Sequence, residues 1–409
     1  MGAVSILEVQ ALDSGEPNVT KRRIGIGRII LLMMAIAVWV TLPKHNGSSG
    51  SAASGAASAI PAREAQVQTA HTPAKPHTAS SLWVRPAADV ASRNRRKSGW
   101  AWVLRQLGAS EQLLDRLVGG DLAGAVTELK SKAQAGDPAS IRVLGQLAVI
   151  NCRPNRGRLT GLKTRQIAEA AALPSADRDW FTATVNDDVA FDNQLDAVCD
   201  QIDTKEALAA VTARANQGDG GSLWVLSQTG PQSKDTQQRL REASAAGFAL
   251  AQLNLAGLIE GGDKQAAGGD VETLHPLDLF NQSQVIPASK GELAACEYFG
   301  DCEGIPVDID AAIVHAREAA QEGYFSAILR IGPHLPAGQI DPNEVTAWSL
   351  IDASVEQQGC GGGIFTVRAM QNILGTLSAP SITAAAREQA EQLWSEYGAQ
   401  IKANLGCDS

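Results

Sequence analysis

The sequence predicts an all-α fold, an α-solenoid of stacked helical hairpins, and three observations predict it. Aromatic residues are only 4% of the 409 while Ala and Gly are abundant, which suits closely packed helices and argues against a sandwich of β-branched and aromatic strands. Apolar residues make up 44% and recur in helical rhythm, so most of the chain can bury a core. A set of glycines also repeats in phase with small and apolar residues on either side.

Taken in order, residues 1–23 read as a cytoplasmic tail and residues 24–42, IGIGRIILLMMAIAVWVTL, as a transmembrane signal-anchor helix. Nineteen helical residues rise roughly 28 Å, close to the thickness of a bilayer core. Lys21, Arg22 and Arg23 precede this run, Arg28 lies near its basic end, and Trp39 suits the far interface. Only Lys44 and His45 follow closely, so the positive-inside bias predicts a cytoplasmic N-terminus. The rest of the chain then lies in the periplasm of a bacterial cell, anchored in the inner membrane. A cleaved signal peptide is the competing reading; the long acid-bearing segment before the run and the distant Ala57-Ser58-Ala59 site weigh against it.

Residues 43–80 read as a linker, because 26 of the 38 are Ala, Gly, Ser, Pro or Thr with no helical stripe. His71 and His77 offer too few ligands for a closed metal site. Residues 81–112 form a basic lead-in helix with Trp83, Trp100 and Trp102 beside Arg93, Arg95, Arg96 and Lys97. Two roles fit it: an end helix packed on the solenoid, or a surface for anionic headgroups.

The repeat occupies residues 113–380. It is marked by Gly136, Gly218, Gly247, Gly291, Gly323 and Gly359. Four residues on stand Ser140, Ser222, Ala251, Ala295, Ala327 and Gly363, all small. Eight residues on stand Leu144, Leu226, Leu255, Phe299, Ile331 and Val367, all apolar. Each glycine suits a left-handed turn closing one helix before the next. The small positions let two backbones approach, and the apolar one fills the seam. One hairpin cannot bury its apolar face alone, so hairpins must stack.

The units around Asp308-x-x-Ala311 with Ala316-x-x-Ala319-Ala320-x-x-Gly323, and Ala243-x-x-x-Gly247-x-Ala249-x-Ala251-Gln252-x-x-Leu255, resemble the Sel-one-like repeat family, relatives of tetratricopeptide repeats. That resemblance implies a right-handed solenoid used as a protein–protein scaffold. One degenerate repeat is expected near residues 165–200, and a Gly-rich insertion at residues 261–275. Residues 381–409 read as a capping helix from Ser381 to Leu405 and a tail, with Gly406 after its end.

Six cysteines, Cys152, Cys199, Cys296, Cys302, Cys360 and Cys407, all follow the apolar segment, and no C-x-x-C pair occurs. Structural disulfides are expected in that compartment. Sequence alone permits 15 connectivities, of which nearest-neighbour pairing is the simplest. A Cys296–Cys302 bridge requires the helix to end around Gly300-Asp301, since six unbroken helical residues hold the two Cα atoms about 9 Å apart along the axis. Buried free thiols are the alternative.

Charge is uneven. Residues 81–165 carry 15 basic and 6 acidic residues, whereas residues 166–409 carry 13 basic and 34 acidic. So acidic a body makes nucleic acid an unsuitable partner. Asp187, Asp188, Asp192 and Asp196 lack the glycine and closing glutamate of a calcium loop and read as a solvated acidic face. His275, His315 and His334 belong to no metal or catalytic motif. The expectation is therefore a non-enzymatic adaptor without cofactor or metal, whose concave face holds an unknown protein or peptide. An envelope polysaccharide or peptidoglycan binder is the alternative, and an enzyme with an unrecognised site a remoter one. Asp310, Arg317 and Glu318 are candidate contact positions.

Overall fold

A computed structural model describes residues 81–152, 156–230, 233–260, 276–302, 304–361 and 365–407. The tail 1–23, the apolar segment 24–42, the linker 43–80 and the insertion 261–275 lie outside the described residues. Among the described residues every regular element is helical, and no helix is long and apolar enough to cross a membrane.

The helices, in chain order, are α1 Ala88–Gln106, α2 Glu111–Gly119, α3 Leu122–Gln134, α4 Pro138–Gln146, α5 Arg156–Glu169, α6 Ser175–Cys199, α7 Thr204–Ala215, α8 Gly220–Ser227 and α9 Lys234–Ala245. They continue as α10 Ala249–Glu260, α11 Pro276–Gln282, α12 Pro287–Phe299, α13 Ile309–Gln321, α14 Ser326–Ile331, α15 Pro342–Gln357, α16 Val367–Ser378 and α17 Ala384–Leu405. A π-helical turn, Leu147–Asn151, extends α4.

Short-range chemistry sets the hairpin bends. Gly136, Gly218, Gly247, Gly323 and Gly359 have φ of 88°, 82°, 78°, 96° and 85°, the left-handed region that glycine enters without a Cβ penalty. In two bends an aspartate follows at once and caps the next helix. Asp137 accepts from the Ser140 amide at 2.8 Å, and Asp219 from the Ser222 amide at 2.7 Å. Small residues four positions after the glycine therefore stand in the first turn of the second helix.

Gly291 departs from this pattern. It lies inside α12, and the bend falls earlier, at Ser283–Ile286, because Pro287 takes the first helical position. Its lack of a side chain serves packing: a Cβ there would collide with the Tyr324 ring. The closing helix is also shorter than expected. It starts at Ala384, where the Thr383 hydroxyl accepts from the Ala386 amide at 3.0 Å, and it ends on Gly406 at φ 72°.

Helices pack mainly on their neighbours in sequence, as in a stacked array: α3 on α4, α8 on α9, α9 on α10, α12 on α13 and α15 on α16, while α17 returns to lie on α15. The α5–α6 pair, where a degenerate repeat was expected, leaves this order. Helix α4 passes directly to α7, while α6 lies against α1 and α3. One buried cluster runs from α1 to the Cys296–Cys302 loop, and a second joins Leu82 to α12–α17. A third, around Phe181, Phe365 and Met370, links α6 to α16.

Candidate functional site

Helix α1 is largely buried. It packs on α2, α6, α10 and α17, elements from the beginning, middle and end of the chain. It has no apolar stripe; its buried residues include Ser92, Asn94, Arg95, Lys97 and Ser98 as well as Ala91, Ala101 and Leu104. A helix polar all round is held by paired charges and hydrogen bonds, since a buried unpaired polar group is costly.

Those pairs are specific. Asp188 on α6 accepts from Arg95 Nη1 at 3.0 Å and from Ser92 Oγ at 2.5 Å, and the Arg95 and Asp188 side chains are each only 8% exposed. Arg96 Nη1 donates to Asp187 at 2.8 Å, and its guanidinium lies 4.5 Å over the Phe191 ring. Burial opposes ionisation of Asp187, yet the bonds from Arg96 and Ser92 hold its carboxyl below the usual range. Lys97 pairs with Asp115 at 2.5 Å. Asn94 donates to the Gln358 carbonyl at 3.0 Å, and Arg105 to the Asn404 carbonyl at 2.8 Å. The basic run is thus spent inside the protein, which removes Arg95, Arg96 and Lys97 from any headgroup surface. Trp100 packs edge-on against Phe191, and Trp83 donates to Glu391 at 2.8 Å.

Asp187 and Asp188 were expected on a solvated face, and Asp188 is instead buried. Local sequence offered little signal, because its partners lie more than 90 positions earlier. The complementary basic run and acidic body were the trace of it. Asp192 reaches Lys163 at 2.8 Å.

Two carboxyls, Asp352 and Glu356, stand one turn apart on α15. Burial raises both: Asp352 well above the usual carboxylate range, with the Glu356 charge adding to it, and Glu356 to about 7 against the pull of Arg95. Arg95 Nη2 has no hydrogen-bond partner, and its guanidinium stacks 4.1 Å from the Phe365 ring centre.

All six cysteines are paired as nearest neighbours. Cys152–Cys199, Cys296–Cys302 and Cys360–Cys407 have Cα separations of 5.3, 5.2 and 5.8 Å. The short loop closes because α12 ends at Gly300, φ 65°. Cys152–Cys199 ties α6 to the end of α4, and Cys360–Cys407 ties the bend after α15 to the end of α17.

Two solvent-open grooves lie between consecutive helices. The first, of about 490 Å³, is lined by Gln112, Arg116, Glu128, Lys132 and Asp137 among others from α2, α3 and α4. The second, of about 480 Å³, lies between α7, α8 and α9 and includes Asn216, Leu226, Arg239 and Glu242. Of the candidate contact positions, Asp310 is exposed, and Glu318 lies 3.6 Å from Lys290. Arg317 is committed to a two-pronged pair with Glu344 at 2.7 Å. His315 Nδ1 lies 2.7 Å from Glu297, whose hydrogen bond raises the imidazole pKa above its ordinary value. Among the described residues no group of three His, Cys, Asp or Glu is placed to hold a metal ion.

No family model matches the chain, and neither a curated protein nor a solved structure matches it.

Proposed function

We propose that this chain is a non-enzymatic scaffold for protein–protein interaction, a right-handed Sel-one-like solenoid held at the periplasmic face of a bacterial inner membrane. Residues 24–42 are its anchor and residues 43–80 its tether. The observation that carries the binding role is the pair of open grooves between consecutive hairpins. Their walls are helix-borne side chains of both signs, so a partner segment loses little ordering entropy on docking. The partner sits in these grooves.

The three disulfides support an oxidising compartment. The envelope-polymer alternative has less support, because each tryptophan among the described residues is buried or half-buried, leaving no aromatic platform for sugar rings.

Photo-crosslinking in intact cells tests this reading. A crosslinker at Gln112 or Arg239 should capture a discrete protein partner, and one at exposed Asp310 should not. Equal capture at all three sites, or capture of polymer alone, would sink it. A phosphatase fused after Ser409 should be active; an inactive fusion would overturn the topology.

A further inference from the structure

We propose that the groove between α7, α8 and α9 recognises an acidic side chain set beside an aliphatic one in a partner's chain, and that Arg239 reads the acid. This rests on the scaffold reading above and gives its partner a chemistry.

The two grooves use the same wall of the repeat. Glu128 on α3 and Arg239 on α9 each stand eight residues before the glycine of their bend, Gly136 and Gly247, and each lines its groove. One position of the repeat thus carries opposite charge in the two sites. In the first groove that charge is answered from within the chain. Arg116 bonds to the Glu128 carboxylate, and Lys132 Nζ lies 2.6 Å from it. Arg116 also reaches Asp121 at 2.8 Å. A charged ligand there has to displace bonds already made.

In the second groove the charge is not answered. Arg239 is half-buried, and among the described residues no hydrogen bond, ion pair or ring contact engages its side chain. Two carboxylates stand at helical spacing from it, Asp235 four residues earlier and Glu242 three residues later. Pairs at these spacings form readily on a helix surface. Neither forms here. Glu242 accepts instead from Gln238 Nε2 at 2.8 Å, and Asp235 is exposed in the first turn of α9. Residues 166–409 hold 34 acids against 13 bases, yet none of those acids is given to Arg239.

The chemistry of the occupant follows. A guanidinium is a planar fork that meets a carboxylate through two parallel hydrogen bonds. On an open surface such a pair is worth little. Here Ala215, Leu223, Leu226 and Ala246 line the same groove, so a docked segment excludes water and strengthens the pair. Those walls take an aliphatic side chain. The volume, about 480 Å³, lies within the ~300–1,000 Å³ of small-ligand sites and suits a few side chains, not a helix. The acidic body repels further negative charge at long range. The occupant is therefore a short stretch with one Asp or Glu beside an aliphatic residue, not an acid-rich run.

A random heptapeptide library displayed on phage, panned on the full chain, tests this. The selected peptides should share one acid next to an aliphatic residue; selection of no such pair overturns the proposal. The tightest peptide is then labelled and its Kd read by fluorescence anisotropy. Replacing its acid by the amide should weaken binding roughly tenfold, the scale of a hydrogen bond to a charged group. Arg239→Gln should weaken the acidic peptide equally and leave the amide peptide unaffected, with the thermal midpoint of the protein unchanged. Losses that add, instead of being shared, overturn the contact. Glu128→Gln should not alter Kd; a loss there puts the peptide in the first groove and overturns the assignment. Should Arg239→Gln fail to fold, a photo-crosslinker beside the peptide's acid decides on the unaltered chain: attachment within residues 212–246 supports the proposal, and attachment elsewhere overturns it. The scaffold reading fails separately, through absence of capture at Gln112 in cells, and peptides lacking an acid leave it standing.

Discussion

Arg95 and Asp188 lie 3.0 Å apart in the interior and join the first described helix to the sixth. Removing one partner leaves the other ionised and unpaired, which costs about 3–5 kcal/mol. Asp188→Ala should therefore lower unfolding free energy by that amount in urea titrations. The double replacement Arg95→Met with Asp188→Leu should restore most of it. A loss in the double variant as large as in the single one would show that the pair matters through shape and not through charge.

The glycines separate by cause. Gly136 has φ 88° and open space around it, so Gly136→Ala should cost about 1–2 kcal/mol from backbone strain alone. Gly291 is helical, and Gly291→Ala should cost about 1–3 kcal/mol by overpacking against Tyr324. Gly359 combines positive φ with the Ala91 carbonyl, so Gly359→Ala should be the most damaging. Chemical denaturation of the three variants ranks them, and Tyr324→Ala should relieve only the Gly291 variant.

The Cys360–Cys407 bridge closes a loop of 47 residues, for which chain entropy gives about 4 kcal/mol. Cys360→Ala with Cys407→Ala should lose stability of that order, while α17 frays first in hydrogen exchange. Non-reducing peptide maps should recover no alkylatable thiol from the unaltered chain.

His315 and Glu297 supply a pH response between α13 and α12. The raised imidazole pKa means that this contact contributes stability below the ordinary histidine pKa, and the contribution is lost as pH rises through the folded value. His315→Gln should reduce the pH dependence of the thermal midpoint between pH 6 and 8, with changes in exchange confined to α12 and α13. An identical midpoint profile in the variant would rule the contact out as a source.

Five of the six aligned glycines were legible as helix-closing bends because the signal is local: positive φ selects glycine wherever it falls. Gly291 misled because helix packing selects glycine too, and the two demands look alike in one dimension. Ser381 misled in the same way; Thr383, two residues on, offers an equivalent hydroxyl to the helix end.

What the sequence determined by itself is the helical class and the hairpin rhythm. Each depends on residues close together along the chain, where periodicity, capping and loop length act directly. Only tertiary structure decided that α1 packs on α6 and α17, that Asp188 is buried against Arg95, and which cysteine meets which. The physical reason is that these helix contacts join positions more than 90 residues apart, and that six cysteines permit 15 connectivities. A charge shows no preference along the chain for solvent or for a distant partner; the choice is made when packing removes the water.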